Sequence, residues 1–481
     1  MGKKHYVIYT PEMESRQMAE LAFQYAPLQE EWQLADLSCG NGNLLTAFLK
    51  YSRERKKKTR VKYYGYDIDE RAISEAKVRL TEEESFFSCE DSLGLKTEER
   101  FDIILGNPPY LGEKNHKEIF EKLKKTDFGK KYYEGKMDYL YFFIEKAVDL
   151  LREEGILVYL TTDYWLVADG AKTLRKTLWE EGEFLYFQDY HISLFEGALG
   201  QHNLLFVWRK GKKGSPVFIQ EKERSFFLKQ EEIYERNGNI YLWHPDIRKQ
   251  LQSIEEKANY RLGDLLEIKQ GIVSGCDKAF VFSHYEEELG EYLKPFYKNK
   301  DIFSYSLQKQ EELWILYLDE KRKWKDVLEK YLSPYREKLE KRREVQLGKI
   351  AWWNLQWARD ERMFQGPKIL GRQRCKGNWF AYSEEEVYGS ADIYYFLPKK
   401  EKLDLFYILA YLNSSLFSFW YQHCGKKKGN LLEFYSKPLL KVPIYYPENI
   451  EERQEISKLA SLQIEKYSRE RQQKIENYFK I

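Results

Sequence analysis

Short apolar runs of strand character recur through the first 210 residues, several of them separated by segments of helical spacing. No other property of the chain constrains its fold as much. The predicted strands are Leu34–Leu37, Val61–Asp67, Ser85–Cys89, Phe101–Leu105, Gly155–Thr161, Phe184–Tyr190 and Asn203–Arg209. Between them, Met137–Arg152 places Leu140, Phe143, Ile144, Ala147 and Leu151 on one helical face. Strand–helix alternation predicts a mostly parallel sheet covered by helices on both sides. Seven such strands, the last two close together in sequence, predict a seven-stranded Rossmann-like sheet. At Arg209–Ser215 the pattern breaks into a basic, glycine-containing stretch that reads as a domain edge.

A chain of 481 residues is long for one domain. Two are expected, 1–235 as an α/β domain and 236–481 as a less regular α+β domain. In the second, apolar runs at Ala279–Phe282 and Tyr394–Leu397 mix with helices and aromatic-rich loops, and Glu451–Ile481 has the spacing of one closing amphipathic helix. With 43% hydrophobic and 16% aromatic residues, both domains can bury real cores. A net charge of +2 leaves room for a basic cleft balanced by acidic faces, so nucleic acid stays a candidate partner. The five cysteines show no C-x-x-C spacing, which argues against a disulfide framework or structural zinc and for a reducing cytoplasm. No signal-peptide core, membrane-length apolar run or histidine ligand spacing is present, so no membrane or metal role is expected.

Ala35-Asp36-Leu37-Ser38-Cys39-Gly40-Asn41-Gly42-Asn43-Leu44 ends a strand in a tight glycine loop and opens a helix, so backbone can approach a ligand closely. Leu45 stands where a dinucleotide fingerprint needs its third glycine, which counts against a pyrophosphate cofactor. Asp67 ends the next strand, where a carboxylate can accept the hydrogens of a ribose diol, and Asp91 follows the third, where it can accept from an adenine amino group. Each acid alone reads more readily as a loop-start or capping residue. Asp36, Asp67 and Asp91 at three successive strand ends converge on one edge.

The strongest signal is Asn107-Pro108-Pro109-Tyr110 at the end of the fourth predicted strand. The lone pair of an exocyclic adenine amino group is delocalised into the ring, so that nitrogen is a poor nucleophile. The side-chain oxygen of Asn107 and the carbonyl of Pro108 form an acceptor pair for both amino hydrogens, which favours a pyramidal nitrogen. Pro108 and Pro109 stiffen the turn, and Tyr110 offers a ring to stack on the base.

These residues resemble the gamma-class, TaqI-like adenine-N6 DNA methyltransferases across nearly the whole chain. The resemblance implies a methyltransferase sheet, S-adenosylmethionine as cofactor, and a C-terminal target-recognition domain. Thr10 in Tyr9-Thr10-Pro11 matches the segment that closes the cofactor site. Asp36, Ser38, Cys39, Gly40, Gly42, Asp67, Asp91 and Asn107 match its cofactor-binding positions, and Phe195 in Ser193-Leu194-Phe195-Glu196 matches the second ring that sandwiches a flipped base. Gln270–Phe280, Lys294–Tyr297 with Lys300–Ile302, and Tyr411–Leu416 match the specificity domain, with Ser274 where many relatives carry Thr. The start of the Thr-Pro segment at residue 10 leaves no room for a fused nuclease, so the expected partners are double-stranded DNA and a separate cognate endonuclease, with a monomer binding the site.

A base inside a duplex must be flipped out to react, so another surface has to hold the DNA. Arg362, Lys368, Arg372, Arg374 and Lys376 lie in Arg362–Trp379 without an acid among them, beside Gln373 and Trp379. Lys426, Lys427, Lys428, Lys437 and Lys441 form a second group, with Asn430 and one acid, Glu433. Arg372, Arg374, Lys376 and Lys427 are the candidate DNA contacts. Two other readings stay open: an N-methylase of protein glutamine or RNA bases using the same tetrapeptide, and a non-catalytic DNA specificity subunit.

Overall fold

The computed structural model describes residues 10–55, 59–195, 202–211, 213–235, 238–428 and 431–480. Tyr9, Glu196, Asn430 and the side chain of Lys428 lie outside the described residues. The chain divides into two compact units, Met1–Pro245 and Asp246–Ile481.

Unit 1 is built on nine strands: β1 (Glu31–Asp36), β2 (Arg60–Asp67), β3 (Ser85–Cys89), β4 (Phe101–Gly106), β5 (Leu151–Thr162), β6 (Gly182–Asp189), β7 (Asn203–Lys210), β8 (Val217–Gln220) and β9 (Ser225–Leu228). Their order in the sheet is β3-β2-β1-β4-β5-β7-β6-β8-β9. β1, β2, β3, β4 and β5 pair in parallel, and β7 runs antiparallel between β5 and β6. The first seven strands are those predicted; β8 and β9 extend the sheet beyond β6. The count of seven therefore falls two short.

The stretch read as a domain edge, Arg209–Ser215, is the connection from β7 to β8. Its charge is answered by Glu183 of β6, which is buried, pairs with Arg209 and accepts from the Ser215 amide at 2.9 Å. Gly211 and Gly214 sit at φ +85 and +114, turning the chain back to the same sheet. Glycine and lysine serve a turn as well as a linker, so composition alone misreads this place.

Strand β4 explains how the sheet is held. Every residue of it is buried; Phe101 and Ile104 enter one core, and Ile103 and Leu105 enter the other. Helices α1 (Glu12–Tyr25), α2 (Asn43–Glu54) and α3 (Glu70–Arg79) supply the second core, while α4 (Tyr139–Leu150) and α5 (Lys172–Glu181) supply the first. Such two-faced burial is what a near-continuous apolar strand requires. Asp102, the polar exception in β4, accepts from the Gln33 amide at 2.7 Å and pairs with Arg152 at 3.0 Å.

Unit 2 carries β10 (Leu266–Gln270), β11 (Val281–Phe282), β12 (Leu293–Tyr297), β13 (Leu313–Leu316), β14 (Lys368–Arg372), β15 (Arg374–Cys375), β16 (Phe380–Ser383), β17 (Tyr388–Gly389), β18 (Ile393–Pro398), β19 (Lys427–Lys428) and β20 (Leu431–Glu433). Three of its small sheets have the orders β10-β18-β14-β16, β11-β13-β12-β17 and β15-β20-β19. The expected α+β character holds, but the closing helix is two: α6 (Ile450–Glu465) and α7 (Arg469–Tyr478). Lys466 is extended, and Ser468 caps the second helix through the Arg471 amide. Apolar spacing continues through the break, which is why the break is invisible to periodicity.

Candidate active site and nucleic-acid interface

Because β3, β2, β1 and β4 are adjacent and parallel, Asp91, Asp67, Asp36 and Asn107 all fall at one edge of the sheet. The loop from β1 to α2 is laced to the end of β2. The Cys39 amide donates to the Tyr66 carbonyl at 2.9 Å, and the Gly40 amide donates to Asp67 Oδ2 at 2.8 Å. Gly40 and Gly42 take φ of 50 and 78, and a Cβ on Gly42 would stand 3.1 Å from that of Ala76. Only glycine suits this turn without strain.

The three acids differ in how much they leave open. Asp36 is 1% exposed, its Oδ1 accepts the Ser38 amide at 2.9 Å, and burial pushes its carboxyl up to about 7. It shapes the loop from inside. Gly106, which sequence reasoning passed over, lies against it: a Cβ there would meet Asp36 Oδ1 at 3.3 Å and the Tyr159 ring at 2.9 Å. Cys39 is buried too, and its thiol is pushed up by that burial. Asp67 accepts from Gly40 and Asp69, and Asp91 accepts from the Leu93 amide at 3.0 Å; each retains further lone pairs. Asn41 Oδ1, buried in the glycine loop, has no partner among the described residues. A Cβ-free cradle ringed by acceptors fits a ligand rich in donors.

The tetrapeptide sits beside this edge and is joined to it. Asn43 Nδ2, at the first turn of α2, donates to the Thr10 carbonyl and to Ser15 Oγ, both at 3.1 Å. Asn107 Nδ2 in turn donates to Thr10 Oγ1 at 3.2 Å. On the other side the Tyr110 hydroxyl lies 2.6 Å from Asn107 Oδ1 and 3.0 Å from the Leu160 carbonyl, and its single proton serves these two acceptors. Asn203, buried at the start of β7, is a third neighbour of this phenol, which burial pushes up. The Pro108 carbonyl has no hydrogen-bond partner among the described residues. Asn43 and Asn203 carried no signal in the sequence, since an asparagine beside a glycine loop or at a strand start is ordinary there. Tyr110 packs against the core of α4 and α5, and Phe195 against that of α1 and α2, so the two rings belong to opposite faces of the sheet.

In unit 2, antiparallel pairing of β15 with β20 and of β20 with β19 brings the two basic stretches onto one small sheet. Glu433 of β20 is buried between them, pairing with Arg374 at 2.7 Å and Lys426 at 3.3 Å. Arg374 also donates to the Tyr435 hydroxyl at 2.9 Å. Lys376 and Lys427 are exposed. Arg372 donates Nε to the Ile302 carbonyl at 2.8 Å and Nη2 to the Lys300 carbonyl at 3.3 Å, with its face over Trp379. Lys368 is a correction to the basic stretch: it is fully buried, donates to the Gly366 and Glu385 carbonyls, and burial pulls its ammonium down to about 8. It holds the fold. Arg362 is engaged by Asp360.

Two family models match. Residues 20–195 match the Eco57I restriction-modification methylase, and residues 294–444 match the TaqI-like C-terminal specificity domain. Among curated relatives, the type II methyltransferase M.HindII of Haemophilus influenzae is 26% identical over 391 residues, covering 72% of this chain and 74% of its own. The type II methyltransferase M.BanIII of Aneurinibacillus aneurinilyticus is 23% identical, covering 92% of this chain and 89% of its own. A solved structure of the type IIL restriction-modification enzyme MmeI in complex with DNA shares the fold. Its TM-score is 0.66 at 12% identity, covering 97% of this chain and 71% of that one. S-adenosylmethionine is the methyl donor of this family, and the acceptor-lined glycine cradle fits it. No helix of the described residues is long and apolar enough to cross a membrane, and no cluster of potential metal ligands is found among them. The chain thus joins an Eco57I-like restriction-modification methylase domain to a TaqI-like C-terminal specificity domain, and its curated relatives are type II methyltransferases.

Proposed function

We propose that this chain methylates N6 of adenine at a specific DNA sequence, acting on a base flipped out of the duplex. The observation that carries the reading is Asn107-Pro108-Pro109-Tyr110 at the end of β4, one strand from the glycine loop, with Asn107 bound through its amide to Thr10. When bound, S-adenosylmethionine supplies an electrophilic sulfonium methyl.

The protein's own residues do the rest. Asn107 Oδ1 and the Pro108 carbonyl accept the two amino hydrogens, holding the nitrogen where its lone pair leaves the ring system. Thr10 Oγ1 holds the far side of the Asn107 amide, so its oxygen faces the base. The Tyr110 hydroxyl occupies one lone pair of that oxygen and leaves the other for substrate. Tyr110 and Phe195 hold the two faces of the base. Asp67 takes the cofactor's ribose hydroxyls and Asp91 its adenine amino group; Asp36, Ser38, Cys39, Gly40 and Gly42 form the cradle. Arg372, Arg374, Lys376 and Lys427 contact the DNA. One specificity domain per chain supports a monomer on its site, with cleavage left to a separate cognate endonuclease in the cytoplasm.

The test is methylation of genomic DNA by purified protein with labelled cofactor, followed by nucleoside analysis and single-molecule sequencing. N6-methyladenine confined to one short motif is the expected result. Label in RNA or in a protein glutamine, with none in DNA, overturns the choice of substrate. Label at cytosine N4 overturns the choice of base.

A further inference from the structure

We propose that Arg372 reads a guanine, its outer guanidinium edge bonded to O6 and N7 in the major groove, while the lysines around it hold phosphate. The proposal rests on the reading that this chain engages DNA, and it concerns how the sequence is chosen.

The argument starts from the five N–H donors of an arginine. Nε and one hydrogen of Nη2 form one edge, and in Arg372 that edge is committed to the Ile302 and Lys300 carbonyls. The opposite edge, one hydrogen on Nη1 and the other on Nη2, has no partner among the described residues. One face of the group is covered: the guanidinium carbon stands 3.7 Å from the Trp379 ring centre and 5.5 Å from that of Phe303. Arg372 also closes β14, where it pairs with Ile393 of β18, and Gly371 just before it pairs with Phe380 of β16. The result is a planar fork anchored along one edge and stacked on one face, on a side chain that is only partly buried.

A fixed fork suits a target whose acceptors are themselves fixed and paired. Guanine is the base whose major-groove edge offers two adjacent acceptors; adenine pairs an acceptor with a donor and leaves one arginine hydrogen unmet. Phosphate makes no such demand, and a flexible ammonium serves it as a point charge. Lys376 and Lys427 have that character: both are exposed and neither has an ion-pair partner among the described residues. Arg374 commits the same edge, Nε to Glu433 and Nη2 to Tyr435, but its charge is paired with a buried carboxylate, whereas Arg372 is anchored by neutral carbonyls and stacked on Trp379. Of the basic side chains here, Arg372 is the one built for discrimination.

The experiment expresses the full chain and its variants in cells lacking adenine methylation and maps N6-methyladenine by single-molecule sequencing. The wild-type motif is expected to contain a guanine that becomes optional in both Arg372→Ala and Arg372→Lys, with discrimination at that position falling by about 10- to 100-fold. Arg372→Lys keeps the charge and guards against loss of fold in the alanine variant. Lys376→Ala combined with Lys427→Ala is expected to keep the motif, weaken binding to every sequence alike, and flatten the salt dependence by roughly two ion equivalents. A motif without guanine, or one unchanged in both Arg372 variants while affinity drops uniformly, overturns the proposal and makes Arg372 a phosphate contact. A wild-type chain that methylates no DNA overturns the DNA reading itself.

Discussion

Asn107 is held from both ends of its amide, and this decides what its substitution should do. Its nitrogen is bonded to Thr10 and its oxygen to Tyr110. Asn107→Ala removes the acceptor proposed for the substrate amino group while leaving the glycine loop and Asp67 in place. Methyl transfer is expected to fall by at least about a thousandfold, with S-adenosylmethionine affinity by calorimetry nearly unchanged; a large loss of cofactor binding would make Asn107 chiefly a cofactor ligand. Thr10 tests the positioning role. Thr10→Val deletes the acceptor for Asn107 Nδ2, whereas Thr10→Ser keeps it. The valine variant is expected to lose about tenfold in kcat at unchanged KM for DNA, and the serine variant to recover most of it. Equal losses in both would tie the effect to the shape of the segment and not to the hydroxyl. Asn107, Asp67 and Asp91 are legible in the sequence because each stands at the end of a predicted strand. Their supports, Asn43 and Asn203, are not, because nothing in an isolated asparagine announces the partner that folding brings to it.

At the scale of elements, α4 and α5 enclose an ionisable group that takes no part in the proposed chemistry. Glu145 on α4 is 1% exposed, and burial pushes its carboxyl up from 4.5 to about 8. A carboxyl with a raised folded-state value binds more protons folded than unfolded between those limits. Its contribution therefore falls as pH rises from about 4.5 to about 8. Glu145→Gln removes the penalty, so its melting temperature should match wild type near pH 5 and exceed it by roughly 5 °C above pH 8. Identical pH profiles would mean the carboxylate is stabilised when charged. Elements also show the limits of pattern reading. The nine-stranded sheet continues through Arg209–Ser215 because Glu183 neutralises the basic turn from a neighbouring strand. The closing helix breaks at Lys466–Ser468 although its apolar spacing runs on, because a serine cap satisfies the new amide ends.

At the scale of the molecule, two units have separate cores, and a ligand held within one should report on that one alone. Calorimetry is expected to resolve two unfolding transitions, with S-adenosylmethionine at a hundredfold excess over its Kd raising one by about 5 °C and leaving the other unmoved. A single transition shifted as a whole would mean the units unfold together. What the sequence by itself determined was the sheet, its direction and the edge where chemistry collects. Strand period, glycine punctuation and a stiff tetrapeptide are local properties, and parallel strands necessarily end on the same side. The tertiary structure alone decided which side chains are spoken for. It buried Lys368, gave Arg374 to Glu433, turned Asp36 inward and left one edge of Arg372 open, because a side chain's freedom depends on partners far away in sequence, and only packing brings them within reach.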